Sequence, residues 1–130
     1  MIVVDASALL EVLLNTSAGQ RIADRFSAAG ETLHAPHLVD LEVAQVLRRY
    51  AASGEMEARR GLQALEDLVD LPLVRYPHDL LLSRIWDLRN NLTAYDAAYV
   101  ALAEALAAPL VTRDAALASP GAHRARVELM

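Results

Sequence analysis

Apolar residues in this chain fall into short unbroken runs that alternate with longer stretches of helical period. Ile2-Val3-Val4 is uninterrupted and ends on Asp5, the pattern of a parallel strand buried on both faces. Thr32-Leu33-His34-Ala35 ends at Pro36, and Leu73-Val74-Arg75-Tyr76 is held between Pro72 and Pro77. Leu110-Val111-Thr112 follows Pro109, and residues 125–129 suit a last edge strand. Between these runs the spacing predicts helices over 7–14, 18–29, 37–52, 55–71, 78–88 and 93–107, and a short turn from Ala115. Gly30 is expected to close the second helix, Ser53-Gly54 to separate the third from the fourth, and Pro120-Gly121 to turn the chain. Strands alternating with helices imply a three-layer α/β/α sandwich with a mainly parallel central sheet.

The length of 130 residues suits one domain over 1–130. No apolar run approaches the roughly 18–20 residues of a membrane span. Residues 1–15 do not read as a signal peptide, since no basic residue precedes the apolar run and Asp5 interrupts it. A cytoplasmic setting is expected. Cysteine is absent, which removes disulfides, thiolate metal sites and a cysteine nucleophile. The net charge is −5 and every basic residue is arginine. Without lysine there is no P-loop phosphate ligand and no Schiff-base chemistry. An acidic chain is poorly suited to non-specific nucleic-acid binding, but bound metal ions can reverse the field at a site.

Four carboxylates stand where folding alone explains them poorly. Asp5 and Asp114 each follow a strand, at the end where open α/β sheets place ligands. Glu42 shares a helical stripe with Leu38 and Val46, and Asp96 lies a turn from Leu92 and Val100. A carboxylate on an apolar face is costly unless it is paired or bound to a cation. Each also has a plainer explanation: helix capping for Asp5 and Asp114, dipole complementarity for Asp96, an ion pair with Arg48 or Arg49 for Glu42. In a parallel sheet, however, strand ends and helix starts share one rim, so the four can converge. Aspartate and glutamate without cysteine or neighbouring histidine favour Mg²⁺ or Mn²⁺ over zinc. Ser7 and Thr112 could orient a carboxylate or a bound water, or could simply cap.

Other candidates point elsewhere. His34 and His37 flank Pro36 and are read as loop histidines, and His78 as a helix start. Tyr95 and Tyr99 are read as core or interface, and Arg48-Arg49 and Arg59-Arg60 as solvated helix faces. Arg113, beside Asp114, is the better placed to touch a phosphate. Asp5-x-Ser7 also suggests a metal-dependent adhesion module, but that pattern wants a hydroxyl where Leu9 stands.

The blocks Val3-Val4-Asp5-Ala6-Ser7-Ala8-Leu9, Leu41-Glu42-Val43, Leu92-Thr93-Ala94-Tyr95-Asp96-Ala97-Ala98-Tyr99-Val100-Ala101-Leu102-Ala103 and Leu110-Val111-Thr112-Arg113-Asp114 resemble the PIN-domain ribonucleases. More narrowly they resemble VapC toxins of bacterial toxin–antitoxin pairs. The resemblance implies an endoribonuclease that hydrolyses RNA phosphodiester bonds with a metal-activated water. It implies that Asp5, Glu42, Asp96 and Asp114 hold Mg²⁺ or Mn²⁺, with Asp114 completing the site or serving a second ion. Some relatives carry a further acid after the fourth; residues 115–119 offer none. A VapB-type antitoxin and a homodimer are also implied, the antitoxin lying along the helix pair around Gly54 and sending an arginine into the acidic site. The rival reading is a non-catalytic PIN-fold or metal-dependent protein-binding module.

Overall fold

In the computed structural model, which describes residues 1–119 and 123–130, five short strands form one sheet in which every pairing is parallel. The strands are β1 (Ile2–Val4), β2 (Leu33–Pro36), β3 (Leu73–Tyr76), β4 (Leu110–Thr112) and β5 (Val127–Leu129), in the order β3-β2-β1-β4-β5. The first strand in sequence is therefore central, and its three residues are fully buried. Such a position demands the unbroken Ile-Val-Val run, because both faces are covered. The expected turn at Pro120-Gly121 lies outside the described residues.

After β1 the chain steps one way across the sheet, through α1 (Ala6–Leu13) and α2 (Gly19–Phe26), then α3 (Leu38–Ser53) and α4 (Ala58–Asp70). It then crosses back through a 3₁₀ turn (Asp79–Leu81), α5 (Leu82–Asp87) and α6 (Ala94–Leu106) to reach β4 on the other side of β1. Right-handed crossovers in opposite directions put α1–α4 on one face and α5 and α6 on the other. The strand order reverses between β1 and β4, so a crevice opens at their carboxyl ends. Residues Ala97–Ala103 of α6 are all buried, and this helix packs on β1, β2 and β4. Its small side chains let it lie close to the sheet.

Several boundaries differ from the periodic pattern for local reasons. Gly54 adopts φ 81°, a left-handed cap that ends α3, and the Met56 amide folds back to donate to the Tyr50 carbonyl. The fourth helix thus starts at Ala58 rather than 55. The second helix stops at Phe26, and Gly30, at φ 76°, serves a separate turn beyond it. Residues 78–88 split into the 3₁₀ turn and α5, and the His78 ring just before them accepts the Leu38 amide on Nε2 at the start of α3, 3.0 Å. His34 is not a loop residue but lies buried on β2, between the Thr32 and Tyr76 hydroxyls.

Gly19, at the start of α2, marks where α1 and α2 pack closest. A Cβ there would stand 2.3 Å from the Glu11 carbonyl oxygen, which cannot move without disturbing α1. Gly19→Ala is expected to cost about 1–3 kcal/mol of stability, the usual range for overpacking. A urea denaturation midpoint equal to the wild type would refute that close approach.

Candidate active site

The crevice is built around Asp5. This residue ends β1 and caps α1, its Oδ1 accepting the Ala8 amide at 3.0 Å and the Ser7 hydroxyl at 2.7 Å. Its Oδ2 accepts the hydroxyl of Thr112, the fully buried last residue of β4. Both hydroxyls are then free to accept: Ser7 Oγ takes the Arg113 amide at 2.9 Å, and Thr112 Oγ1 takes the Asp114 amide at 2.9 Å. Because both hydroxyl protons point at Asp5, the 3.3 Å contact between Ser7 and Thr112 has no proton of its own. The loops after β1 and β4 are thereby stitched through one carboxylate.

Asp114 caps the 3₁₀ turn Ala115–Ala118, its Oδ1 accepting the Ala116 amide at 2.9 Å. Asp96 stands in the first turn of α6, whose cap is Thr93; the Thr93 hydroxyl accepts the Asp96 amide at 3.1 Å. The capping explanation therefore holds for Asp5 and Asp114, and it leaves carboxylate lone pairs unspent. Glu42, a turn into α3, makes no ion pair with Arg48 or Arg49 among the described residues. Its Oε1 accepts instead the hydroxyl of Tyr99, at 2.5 Å. Tyr99 belongs to α6 and is almost wholly buried, as a core reading expects, but its polar end serves the site.

The four acids sense one another. Burial pushes the Asp5 carboxyl up, against the bonds from Thr112, Ser7 and Ala8, and the charge of Asp114 adds to the rise. Burial also raises Glu42, offset in part by Tyr99, with Asp96 and Asp5 adding their repulsion. Asp96 is raised by burial and then by Asp114 and Asp5. Other acids have cationic partners: Glu31 and Glu128 meet Arg25, Asp40 meets Arg75, and Glu104 meets Arg84. Among the described residues none of Asp5, Glu42, Asp96 or Asp114 has one. Nor do any three His, Asp or Glu side chains there close into a ligand shell. Mg²⁺ keeps several waters and is commonly bound through one or two carboxylates, so it does not demand a full protein cage.

A groove of about 630 Å³ runs from this crevice between α1 and α3, lined by Leu10, Leu38, Leu41, Val46, Tyr50 and Tyr95, with Ser7, Glu42, Arg49 and Arg113 among its polar residues. The helix pair around Gly54 offers only a shallower hollow of about 240 Å³, since Leu47, Ala64 and Leu68 fill the seam. Tyr95 is two-thirds exposed and so is not core. Arg113 lies at the rim, but its guanidinium is engaged by Glu11, at 3.7 Å, and by the Met130 carbonyl. Arg60 is not a solvated residue; it donates to the Leu13 carbonyl at the end of α1. Of the functional contacts, the bond from Tyr99 to Glu42 was invisible in the sequence. Its only signal there is a second tyrosine, one turn after Asp96, among the aliphatic residues that follow.

The PIN domain family model matches residues 2–122. Ribonuclease VapC9 of Mycobacterium tuberculosis (strain H37Rv) is 50% identical over 121 residues, covering 93% of this chain and 91% of that protein. The chain is a PIN domain of the VapC ribonuclease family. Ribonuclease VapC12 of the same strain is 41% identical over 130 residues, covering 100% of this chain and 99% of that one. The fold is shared with the crystal structure of VapBC2 from Rickettsia felis bound to a DNA fragment from their promoter, with a TM-score of 0.71 at 14% identity, over 99% of this chain and 98% of that one. Among the described residues of this VapC-family chain, no helix is long and apolar enough to cross a membrane.

The raised carboxyls give the protein a characteristic pH dependence. A group held above its unfolded value destabilises the fold when ionised, so acidification relieves Asp5, Glu42 and Asp96 as pH falls through their raised folded values. Glu31, Glu104 and Glu128 are held low by their arginines, and for Glu31 by the chain's amino terminus first; their stabilisation is lost as pH falls below their ordinary value of 4.5. His34 acts in the opposite sense, because burial holds it below its ordinary value of 6.5 and stability is lost as pH falls through that value. Chelator-treated His34→Gln protein should therefore melt at a higher temperature as pH is lowered from neutral towards 4.5. A melting temperature that falls steadily over that interval would contradict the electrostatic description of the crevice.

Proposed function

We propose that this chain is a Mg²⁺- or Mn²⁺-dependent endoribonuclease, the toxin of a type II toxin–antitoxin pair. The carrying observation is the convergence, at the β1/β4 switch point, of four carboxylates that have no cationic partner among the described residues. The donor set fits the ion: hard oxygen ligands, buried or partly buried, with no cation of the protein beside them among the described residues. Asp5, Glu42, Asp96 and Asp114 are assigned to hold it. When bound, such an ion would activate the attacking water and offset charge on the phosphodiester.

The chain's own residues account for the rest. Ser7 and Thr112 hold Asp5 by both oxygens and fix the Asp114 backbone, so two ligands keep their relative positions before any ion arrives. Without a cationic partner among the described residues, the carboxylates of Asp5, Glu42, Asp96 and Asp114 make the crevice a poor place for bare anions, so RNA phosphate is admitted only once the charge is reversed. Arg49 and Arg113 line the adjoining groove and offer cations to a flanking phosphate. The same groove, with Leu10, Leu38, Leu41 and Val46 along it, suits the apolar face of a VapB-type antitoxin helix, with an antitoxin arginine reaching the acids. It supports that partner better than the seam around Gly54 does. A homodimer is part of the proposal; exposed Leu80, Leu82 and Trp86 are apolar surface for a second copy. A cytoplasmic setting is part of the same proposal, supported by an RNA substrate and a protein antitoxin.

Purified, antitoxin-free protein should cleave a mixed RNA pool with Mg²⁺ or Mn²⁺ and not with EDTA. Asp5→Asn and Asp96→Asn should each lose at least about 100-fold of that activity, as expected when a ligand of an essential ion is removed. Cleavage undiminished by EDTA and by both substitutions would exclude the metal mechanism. Antitoxin binding without cleavage under either metal would favour a protein-binding module instead.

A further inference from the structure

We propose that Tyr99 is a positioning residue for metal binding, fixing the Glu42 carboxylate so that its second oxygen faces the ion. The proposal rests on the assignment of Glu42 as a metal ligand. Asp5 is held by three donors and Asp114 by the Ala116 amide. Glu42 has a longer side chain and more torsions to lose, and its one hydrogen bond among the described residues comes from Tyr99. That donor is itself immobile: the ring is 2% exposed in the body of α6, and its hydroxyl reaches across to α3.

The arrangement has a simple origin in helix geometry. Asp96 and Tyr99 are three residues apart on α6 and therefore share a face. The upper residue presents a carboxylate to the crevice directly. The lower one presents a hydroxyl that holds the carboxylate of another helix. A single rigid helix thus sets the separation of two of the four acids, and Oε1 of Glu42 is spent on Tyr99 while Oε2 is left for the cation. Partners of this kind orient metal ligands, and their loss typically weakens metal binding 10–100-fold.

The test is calorimetric titration of Mn²⁺ into chelator-treated, antitoxin-free protein. Tyr99→Phe keeps the ring and removes only the hydroxyl; it should bind Mn²⁺ about 10–100-fold more weakly. Tyr76→Phe removes another phenolic hydroxyl, the one 2.7 Å from His34, and should leave Mn²⁺ affinity unchanged. In a Glu42→Gln background, adding Tyr99→Phe should cause no further loss, because the hydroxyl acts through Glu42. Wild-type affinity in Tyr99→Phe would overturn the proposal. So would an equal loss in Tyr76→Phe, or an additive loss in the Glu42→Gln background. Wild-type protein that binds no Mn²⁺ would instead overturn the assignment of the acids as ligands, and this inference with it.

Discussion

The structure turns on the cost of holding a carboxylate at the end of its central strand. Asp5 is nearly buried, with no cation beside it among the described residues, and three neutral donors offset only part of its desolvation. Those donors come from two separate segments, the start of α1 and the end of β4. Ser7 and Ala8 belong to the chain leaving β1, and Thr112 to the chain leaving β4. Satisfying one buried anion therefore aligns the two strand ends on either side of the switch point. It also places Asp114, whose amide hangs from the Thr112 hydroxyl. Stability and site geometry meet at the same side chain.

The other two acids reach the rim from opposite layers. Glu42 arrives on α3, which packs on one face, and Asp96 on α6, which packs on the other. Burying these carboxyls works against the fold, and bringing like charges together from both faces adds to that cost; Asp5, Glu42 and Asp96 are raised by burial first and by their neighbours' charge second. Buried apolar contacts elsewhere, above all the seven consecutive buried residues of α6, supply the compensation. This is a familiar division in enzymes: the scaffold is stable enough to carry a site that would be more stable without its charges.

The groove between α1 and α3 opens on the same rim. It begins beside Ser7 and Glu42 and continues over aliphatic side chains, so whatever lies in it ends at the acids. An apolar helix and an RNA strand make different demands on such a surface. The aliphatic floor suits the first, and Arg49 and Arg113 at its edges suit the second. Occupation by a helix would deny the crevice to a substrate by simple exclusion.

Much of this was legible in the chain itself. Ile2-Val3-Val4 and Leu110-Val111-Thr112 read as buried strands, because they are short, unbroken and rich in β-branched residues, the features that separate a buried strand from a buried helix. Asp5, Glu42, Asp96 and Asp114 stood out because a carboxylate interrupting an apolar pattern has a price that local structure does not meet. The parallel sandwich followed from the alternation. What the linear pattern could not contain were relations between distant residues. Tyr99 and Glu42 are 57 positions apart, and a tyrosine in an apolar helix reads as core until its hydroxyl is seen to meet a carboxylate. His34 looked like a loop residue because Pro36 follows it, whereas β3 supplies the Tyr76 hydroxyl that lets it lie buried in a strand. The hollow between α1 and α3, about 630 Å³, is larger than the one of about 240 Å³ between α3 and α4, a difference that side-chain packing decides. Periodicity reports which face of an element is apolar; only the packed chain decides which face it meets.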